Sequence, residues 1–473
     1  MVTMLPPLIQ SLLDPTRYPH PSGVVELMET HISWVLLAGD YAYKIKKPVV
    51  LPFLDYGTVD KRRACCEVEL RINRRYAPDT YLGVVEFDGE PAVRMRRFVE
   101  ADRLDHVCAR GELTPNHLSD LARQLADFHA AAAVAGPGER FGEPAQVLAP
   151  ALENFEELER LLPAEGERLA RLRSWTGAEH AARRDAFARR KATGRIRECH
   201  GDLHLGNLVL LNGQPTPFDA IEFNEDLRWI DVAAEIAFTY LDVLDHGQPG
   251  LAAWFLNQWL LWSGDYDTLV VLRFYAVYRA MVRAKVAAIQ GREAEAAEYL
   301  AMAEALAVPP PITLTITFGL SGSGKTTAAK AVLLADARAA TIRLRSDVER
   351  KRLFGLAPDA ASGGNIYGAG ATVRTYGHLR ALAAKIIADG WPILIDAAFL
   401  KRAERDDFRA LAAHLRIPFA ILACEAPIDE LRRRLTARTG DASEAPVELL
   451  EQQLQWIQPL GEDERSLTVR PET

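Results

Sequence analysis

Residues 312–326 read Ile-Thr-Leu-Thr-Ile-Thr-Phe-Gly319-Leu-Ser-Gly-Ser-Gly324-Lys325-Thr326. A β-branched run leads directly into G-x-x-x-x-G-K-[ST], and the alanine-rich stretch 325–335 has helical character. Strand, glycine-rich turn and helix start, in that order, make a phosphate cradle. The glycines let successive backbone N–H groups face an anion at a helix N-terminus. Gly319, Ser321, Gly322, Ser323 and Gly324 are the expected loop contacts, with Thr327 beside them. Lys325 is expected to reach the β- and γ-phosphates, and the Thr326 hydroxyl to hold Mg²⁺. Working outward, strand-like 340–346, 392–397 and 419–425 alternate with helical 373–389, 402–415 and 428–438, and a helix over 445–456 closes the chain. That alternation predicts an α/β P-loop domain, a parallel sheet with helices on both faces.

The strand after the loop ends Arg345-Ser346-Asp347-Val-Glu-Arg350. A carboxylate at the C-terminal edge of such a sheet lies where α/β sites form, and a base there can accept a hydroxyl proton. Asp also suits a helix cap, the plainer reading of Asp347. Asp-x-x-Arg after a phosphate loop resembles the polynucleotide 5′-hydroxyl kinases and the small P-loop kinases that include the zeta-toxin sugar kinases. The resemblance implies that Asp347 is the base and Arg350 a clamp on substrate or phosphate. Asp396 ends a buried strand, where it serves the Mg²⁺ shell, the substrate or a helix cap. Arg432-Arg-Arg434-Leu-Thr-Ala-Arg438 looks like the arginine-bearing lid of these kinases; Arg434 and Arg438, at i and i+4, share one face. A solvated basic helix face is the alternative.

The 473 residues carry a net charge of −8 and are 49% hydrophobic, enough for two or three cores. Pro309-Pro310-Pro311 cannot continue the helical run before it, which places a boundary near residue 308. Charge divides there too: 308–473 is net +2 and 1–307 is net −10. The first part opens with strands. A hairpin is expected over 31–46, turning at Gly39-Asp40, with Ala42, Lys44 and Lys46 on one face and Tyr41, Tyr43 and Ile45 on the other. A helix over 60–76 and strands over 81–85 and 92–98 follow, then mainly helices. The expectation is a small β-rich lobe, about 1–100, and a helical lobe, about 101–307.

His200-Gly201-Asp202-Leu-His204-Leu-Gly-Asn207, with Asp219 twelve residues beyond Asn207, forms the second motif set. It resembles the aminoglycoside and choline phosphotransferases, whose fold is that of the protein kinases. The resemblance implies an α+β two-lobed domain over 1–307, with Asp202 taking the proton of a substrate hydroxyl. Asn207 and Asp219 would bind Mg²⁺ bridging the nucleotide phosphates. Lys44, in Tyr41-Ala-Tyr-Lys44, would bind the α/β-phosphates. Its ion-pair partner belongs on the next helix, where Glu69 points inward and Glu67 is the alternative. His204 reads as structural, and Asp231 as a support for the catalytic-loop backbone. One departure stands out: no G-x-G-x-x-G precedes Lys44. The whole chain resembles a bacterial fusion of two kinases.

The function expected is a bifunctional ATP-dependent phosphotransferase with two Mg-ATP sites, each moving a γ-phosphoryl group to a hydroxyl. The alternatives are one catalytic half with a nucleotide-binding regulatory half, and a P-loop ATPase switch. The acidic first part suits a small, cationic acceptor such as an amino sugar. The second permits a small alcohol, a sugar or the 5′-hydroxyl of a nucleic acid, although no basic stretch interleaved with aromatics marks a long nucleic-acid footprint. Five cysteines without a CxxC pair predict reduced thiols in a cytoplasmic protein, and no apolar run is long enough for a membrane span. Oligomeric state is not legible.

Overall fold

The computed structural model describes residues 5–51, 54–362, 366–437 and 447–469. By packing, the chain forms two compact units: Met1–Glu157 with Thr176–Asp242, and Leu158–Trp175 with Val243–Thr473. This division differs from the compositional one near residue 308. The helix Pro249–Ser263 packs on the strand Ile342–Arg345 and on the helix that follows the phosphate loop, so packing and charge draw the line in different places.

The first unit begins with a five-stranded antiparallel sheet in the spatial order Glu26–Glu29, Ser33–Ala38, Tyr41–Lys46, Glu90–Arg96, Tyr81–Phe87. The expected hairpin turns at Gly39, whose φ of 58° suits a residue without Cβ. Alternation along Tyr41–Lys46 sorts its side chains as the sequence predicts. Tyr43 and Ile45 join Trp34, Leu36 and Phe87 in one apolar cluster. Ala42 faces Cys66, Tyr81 and Val93 in another. On that second side lies the helix Val59–Asn73, started by Thr58, whose hydroxyl accepts from Lys61 N–H at 3.3 Å. It ends at Asn73 and not at 76. The helices of this unit include Pro115–Ala131, with a Thr114 cap, and the parts of Gly166–Ala192 and Val232–Asp245 that lie within it.

In the second unit five strands run parallel in the order Ile342–Arg345, Ile393–Asp396, Leu314–Phe318, Phe419–Ala423, Thr468–Val469. Leu314, Ile316, Leu344, Leu394 and Ile421 have no solvent exposure, the pattern of a sheet covered on both faces. Each such burial is worth about 1.5–3 kcal/mol. The last strand was not expected, since two residues leave no periodic signal. Helices Lys325–Leu334, Ala369–Ala388, Arg402–Leu415 and Ile428–Thr436 match the expected ones within a few residues.

The edge strand Ile342–Arg345 is closed by a helix. Asn257, on the helix Pro249–Ser263, donates to Thr341 O at 2.8 Å and accepts from Arg343 N–H at 2.6 Å. One side-chain amide thus makes the bonds a neighbouring strand would make. Gly250 of that helix meets Leu334 so closely that a Cβ would lie 1.9 Å from its carbonyl oxygen. All five cysteines are free thiols, and among the described residues no helix is long and apolar enough to cross a membrane.

Candidate functional sites

In the first unit the sheet and the helix Val59–Asn73 bring two lysines onto one carboxylate. Lys44 Nζ donates to Glu69 Oε1 at 2.9 Å and Lys46 Nζ to Glu69 Oε2 at 2.6 Å. Glu69 is fully buried, while Glu67 is exposed, so the ion pair falls to Glu69. Lys44 also pairs with Asp219, and Lys46 with Glu222, whose Oε1 accepts the Tyr56 hydroxyl as well. Burial alone would push Glu69 upward; the two ammonium groups win and hold it well below the usual carboxylate range. Burial opposes the charge on Lys44 too, but Asp219 and Glu69 raise its pKa well above the ordinary value, so it stays protonated. Lys46, Glu222 and Tyr56 were missed. Alternation had placed Lys46 on the face of Lys44, but nothing local revealed that the side chain is buried.

Asp219 sits at a φ of 62°, a left-handed conformation Asp tolerates better than most residues. Its N–H donates to the Tyr81 hydroxyl at 2.9 Å, and the next N–H, Ala220, to Asn73 Oδ1 at 3.0 Å. Asn73 lies one helical turn past Glu69, so the same helix sets both. Asn207 joins Asp202 through Nδ2, which donates to its carbonyl at 2.9 Å and its Oδ2 at 3.0 Å. His204 Nε2 stands 3.5 Å from that Oδ2. The Asp202 side chain is 40% exposed, open to an incoming group.

Buried groups hold the loop from behind. Glu235 Oε1 accepts from His200 N–H at 2.5 Å and Gly201 N–H at 3.0 Å, and its Oε2 lies 2.7 Å from His129 Nε2. Asp242 accepts from Leu205 N–H at 2.7 Å. His200 Nε2 donates to Phe218 O at 2.8 Å, while its Nδ1 accepts from Asp202 N–H at 3.3 Å. Burial pushes that imidazole toward its neutral form, which fits this donor-acceptor pattern. The role expected of Asp231 needs correction. Both its oxygens are taken by Arg190, at 2.7 and 2.8 Å, and Oδ1 caps Ala233 N–H. Glu235, one turn later, and Asp242 support the loop instead.

In the second unit the phosphate loop joins Leu314–Phe318 to Lys325–Leu334. Gly319, Gly322 and Gly324 have φ of 150°, 82° and 90°. At Gly319 a Cβ would fall 2.2 Å from Cys424 O, so the backbone approach itself demands glycine. Lys325 folds over the loop, donating to Gly319 O at 2.9 Å and Leu320 O at 2.8 Å. Ser321 N–H is received by Gln453 Oε1 at 2.8 Å.

The loop opens on a cavity of about 2210 Å³. Ser321, Ser323, Thr326 and Thr327 line it, as do Asp347, Arg350, Asp396 and Arg434. Asp347 lies in the first turn of the helix Ser346–Leu353, whose cap position is Arg345. Arg350, nearly buried, donates to Ile366 O at 3.0 Å and Thr372 Oγ1 at 3.3 Å and stacks on Tyr367. Asp396 is buried, with Oδ2 lacking any hydrogen-bond partner and Arg345 Nε 3.7 Å away. Arg434 donates to Gly322 O at 3.3 Å and to Glu430 at 2.6 Å. Arg438 lies outside the described residues.

Residues 78–275 match the family model "Phosphotransferase enzyme family", and residues 314–460 match "AAA domain". Over 457 residues the chain is 30% identical to "Uncharacterized protein Rv2004c" of Mycobacterium tuberculosis and to "Uncharacterized protein Mb2027c" of Mycobacterium bovis. The alignment covers 92% of this chain and 91% of each relative. Among solved structures, a GDP complex of aminoglycoside 2′-phosphotransferase-IIIa is 14% identical, with a TM-score of 0.39 over 63% of this chain and 98% of that one. A choline/ethanolamine kinase family protein from Mesorhizobium loti is 12% identical, with a TM-score of 0.42 over 70% and 99%. A sugar kinase from Janibacter sp. HTCC2649 is 23% identical, with a TM-score of 0.27 over 34% and 84%. The chain belongs to the family of these mycobacterial proteins, and it is an enzyme of the phosphotransferase type, a kinase-like domain fused to a P-loop domain.

Proposed function

We propose that the protein is a bifunctional ATP-dependent kinase with two separate Mg-ATP sites, each passing a γ-phosphoryl group to the hydroxyl of a small molecule. The observation that carries this reading is that each unit assembles its own lysine, carboxylate and oxygen-donor set. Lys44, Asp202, Asn207 and Asp219 make one; Lys325, Thr326, Asp347 and Asp396 make the other.

The donor chemistry suits Mg²⁺, which takes oxygen ligands. Asn207 spends its amide N–H groups on Asp202, which leaves Oδ1 facing away from that bond, and Asp219 adds a carboxylate. In the second unit the orphaned Asp396 Oδ2 and the Thr326 hydroxyl are the corresponding oxygens. Bound Mg²⁺ would neutralise charge on the phosphates. Around it, Asp202 and Asp347 accept the proton of the attacking hydroxyl, and Lys44 and Lys325 bind phosphate oxygens. Glu69 keeps Lys44 aimed, while Arg350 and Arg434 add positive charge at the second site.

The first acceptor is best matched by a small polyol or amino sugar, since 1–307 is net −10. For the second, a small alcohol or sugar is favoured over a nucleic-acid 5′ end. Free thiols fit action in the reducing cytoplasm. The test is a transfer screen with γ-labelled ATP against sugars, aminoglycosides, choline-type alcohols and 5′-hydroxyl oligonucleotides, run on the parent, Asp202→Asn and Lys325→Met proteins. Two products, each lost in one variant only, are expected. One variant without effect on any turnover would reduce the protein to one kinase with a regulatory half. Hydrolysis that ignores Asp347→Asn and every added alcohol would make the second half an ATPase.

A further inference from the structure

The helix Ser346–Leu353 serves two environments. Asp347 and Arg350 line the cavity. Glu349 and Arg352, spaced i and i+3, fall outside it, and Glu349 is only 1% exposed. A buried carboxylate needs partners for its oxygens, and Glu349 draws them from three places. Arg352 pairs with it from the same helix. His378 Nε2 lies 3.1 Å from Oε2, reaching over from the helix Ala369–Ala388, whose Thr372 and Tyr376 also line the cavity. Tyr266 donates its hydroxyl to Oε1 at 2.9 Å.

Tyr266 comes from the turn between the helices Pro249–Ser263 and Thr268–Ile289, far upstream of the phosphate loop. The C-terminal end of the first of these helices receives Arg352, which donates to Leu261 O at 2.7 Å. Gly264, at a φ of 65°, makes room for that guanidinium; a Cβ there would lie 2.6 Å from Arg352 Nε. Asp267 pairs with Lys385 of the helix that carries His378. This segment therefore grips two of the helices that line the cavity. Burial would raise the Glu349 carboxyl, yet His378, Arg352 and Tyr266 together hold it below its usual range, so it stays ionised.

We infer that the helix end and turn spanning 261–267 form a positioning element of the second kinase site, acting through Glu349 on the helix that aims Asp347 and Arg350 into the cavity. The inference rests on the proposed roles of Asp347 and Arg350. Tyr266 and Glu349 do not line the cavity, so they are positioning residues and not catalytic ones. The turn lies within 78–275, the stretch matching the phosphotransferase family, so a segment of that half helps build the site of the other.

The test uses full-length protein carrying Asp202→Asn, with glycerol as the acceptor probe and a fluorescent ATP analogue for binding. Tyr266→Phe removes one oxygen. It should lower the Lys325-dependent kcat about tenfold, since small misplacements of reacting groups are costly, and leave KM for ATP and analogue binding within about twofold. Amide hydrogen exchange should quicken in 346–353 and stay unchanged in the strand Leu314–Phe318. Leu272→Ala, a buried residue of the same helix pair, should lower Tm and leave kcat alone. Unchanged kcat and unchanged exchange in Tyr266→Phe would overturn the inference. Where glycerol supports no turnover, the exchange pattern decides it. Turnover that survives Lys325→Met would sink the proposed second site instead, a separable outcome.

Discussion

Lys44 and Lys325 are held in opposite ways. Lys44 lies among carboxylates drawn from two distant segments, Glu69 on a helix and Asp219 beyond the loop that carries Asp202. Lys325 rests on carbonyls of the loop that precedes it by five and six residues. The first arrangement exists only after long-range folding, and its charges are matched to one another. The bonds of Lys325 to Gly319 and Leu320 are local, shaped by glycine dihedrals and a strand-helix junction. Damage to the first site should therefore register in stability, and damage to the second in nucleotide handling.

Substitutions can break that contrast. The largest effect is expected from Glu69→Ala, which leaves Lys44 and Lys46 short of a buried partner. Removing one member of such a set costs about 3–5 kcal/mol. Denaturant unfolding should show that loss together with loss of Asp202-dependent transfer; an unshifted midpoint would dissolve the contrast. Lys325→Met should do the reverse, cutting second-site turnover by about 10²–10³ while Tm stays put. A large fall in Tm would show that the lysine braces the loop. Gly319→Ala forces a Cβ onto Cys424 O, adding roughly 1–3 kcal/mol of local strain. Nucleotide binding at the second site should weaken with it, measured by titration of a fluorescent analogue.

Acid sensitivity sharpens the comparison further. Glu198, in the strand Ile196–Glu198, is buried, which raises its pKa, yet Arg71, Arg75 and Arg228 bring it down to about 2 from its ordinary 4.5. A depressed carboxylate stabilises the folded chain fully above its unfolded value and loses that contribution as pH falls from about 4.5 toward 2. Glu198→Gln should flatten the slope of stability against pH in that window; an identical slope would exclude Glu198 as its source. The smallest change belongs to Arg434→Ala. Its pair with Glu430 is on the surface, so Tm should hold while KM for ATP at the second site rises a few-fold. A drop in Tm would give the lid a structural duty.

How far the sequence could be read follows the same divide. The phosphate loop was legible residue by residue because its requirements are local. Lys44, Asp202, Asn207 and Asp219 were picked out by resemblance to the phosphotransferases and Glu69 by its helix face, and strand alternation already put Lys46 beside Lys44. Beyond reach were Glu222, Tyr56, Glu235 and Asp242. Each acts through a partner from a remote segment, as when Glu222 meets Lys46 across 176 residues. The supporting role read into Asp231 failed for the same reason, because only the fold reveals that Arg190 claims both its oxygens. Composition placed a boundary at the prolines, but it cannot see the helix Pro249–Ser263 packing onto the sheet that follows.

Asn257 gives that last point a practical edge. A fragment begun at residue 308 would keep every phosphate-loop residue and lose the amide that covers Thr341 and Arg343. Its outermost strand would then present bare N–H and C=O groups to any other chain, the geometry that templates edge-to-edge pairing. Such a fragment would aggregate through strand addition, and solubility would return once the helix Pro249–Ser263 is restored to it.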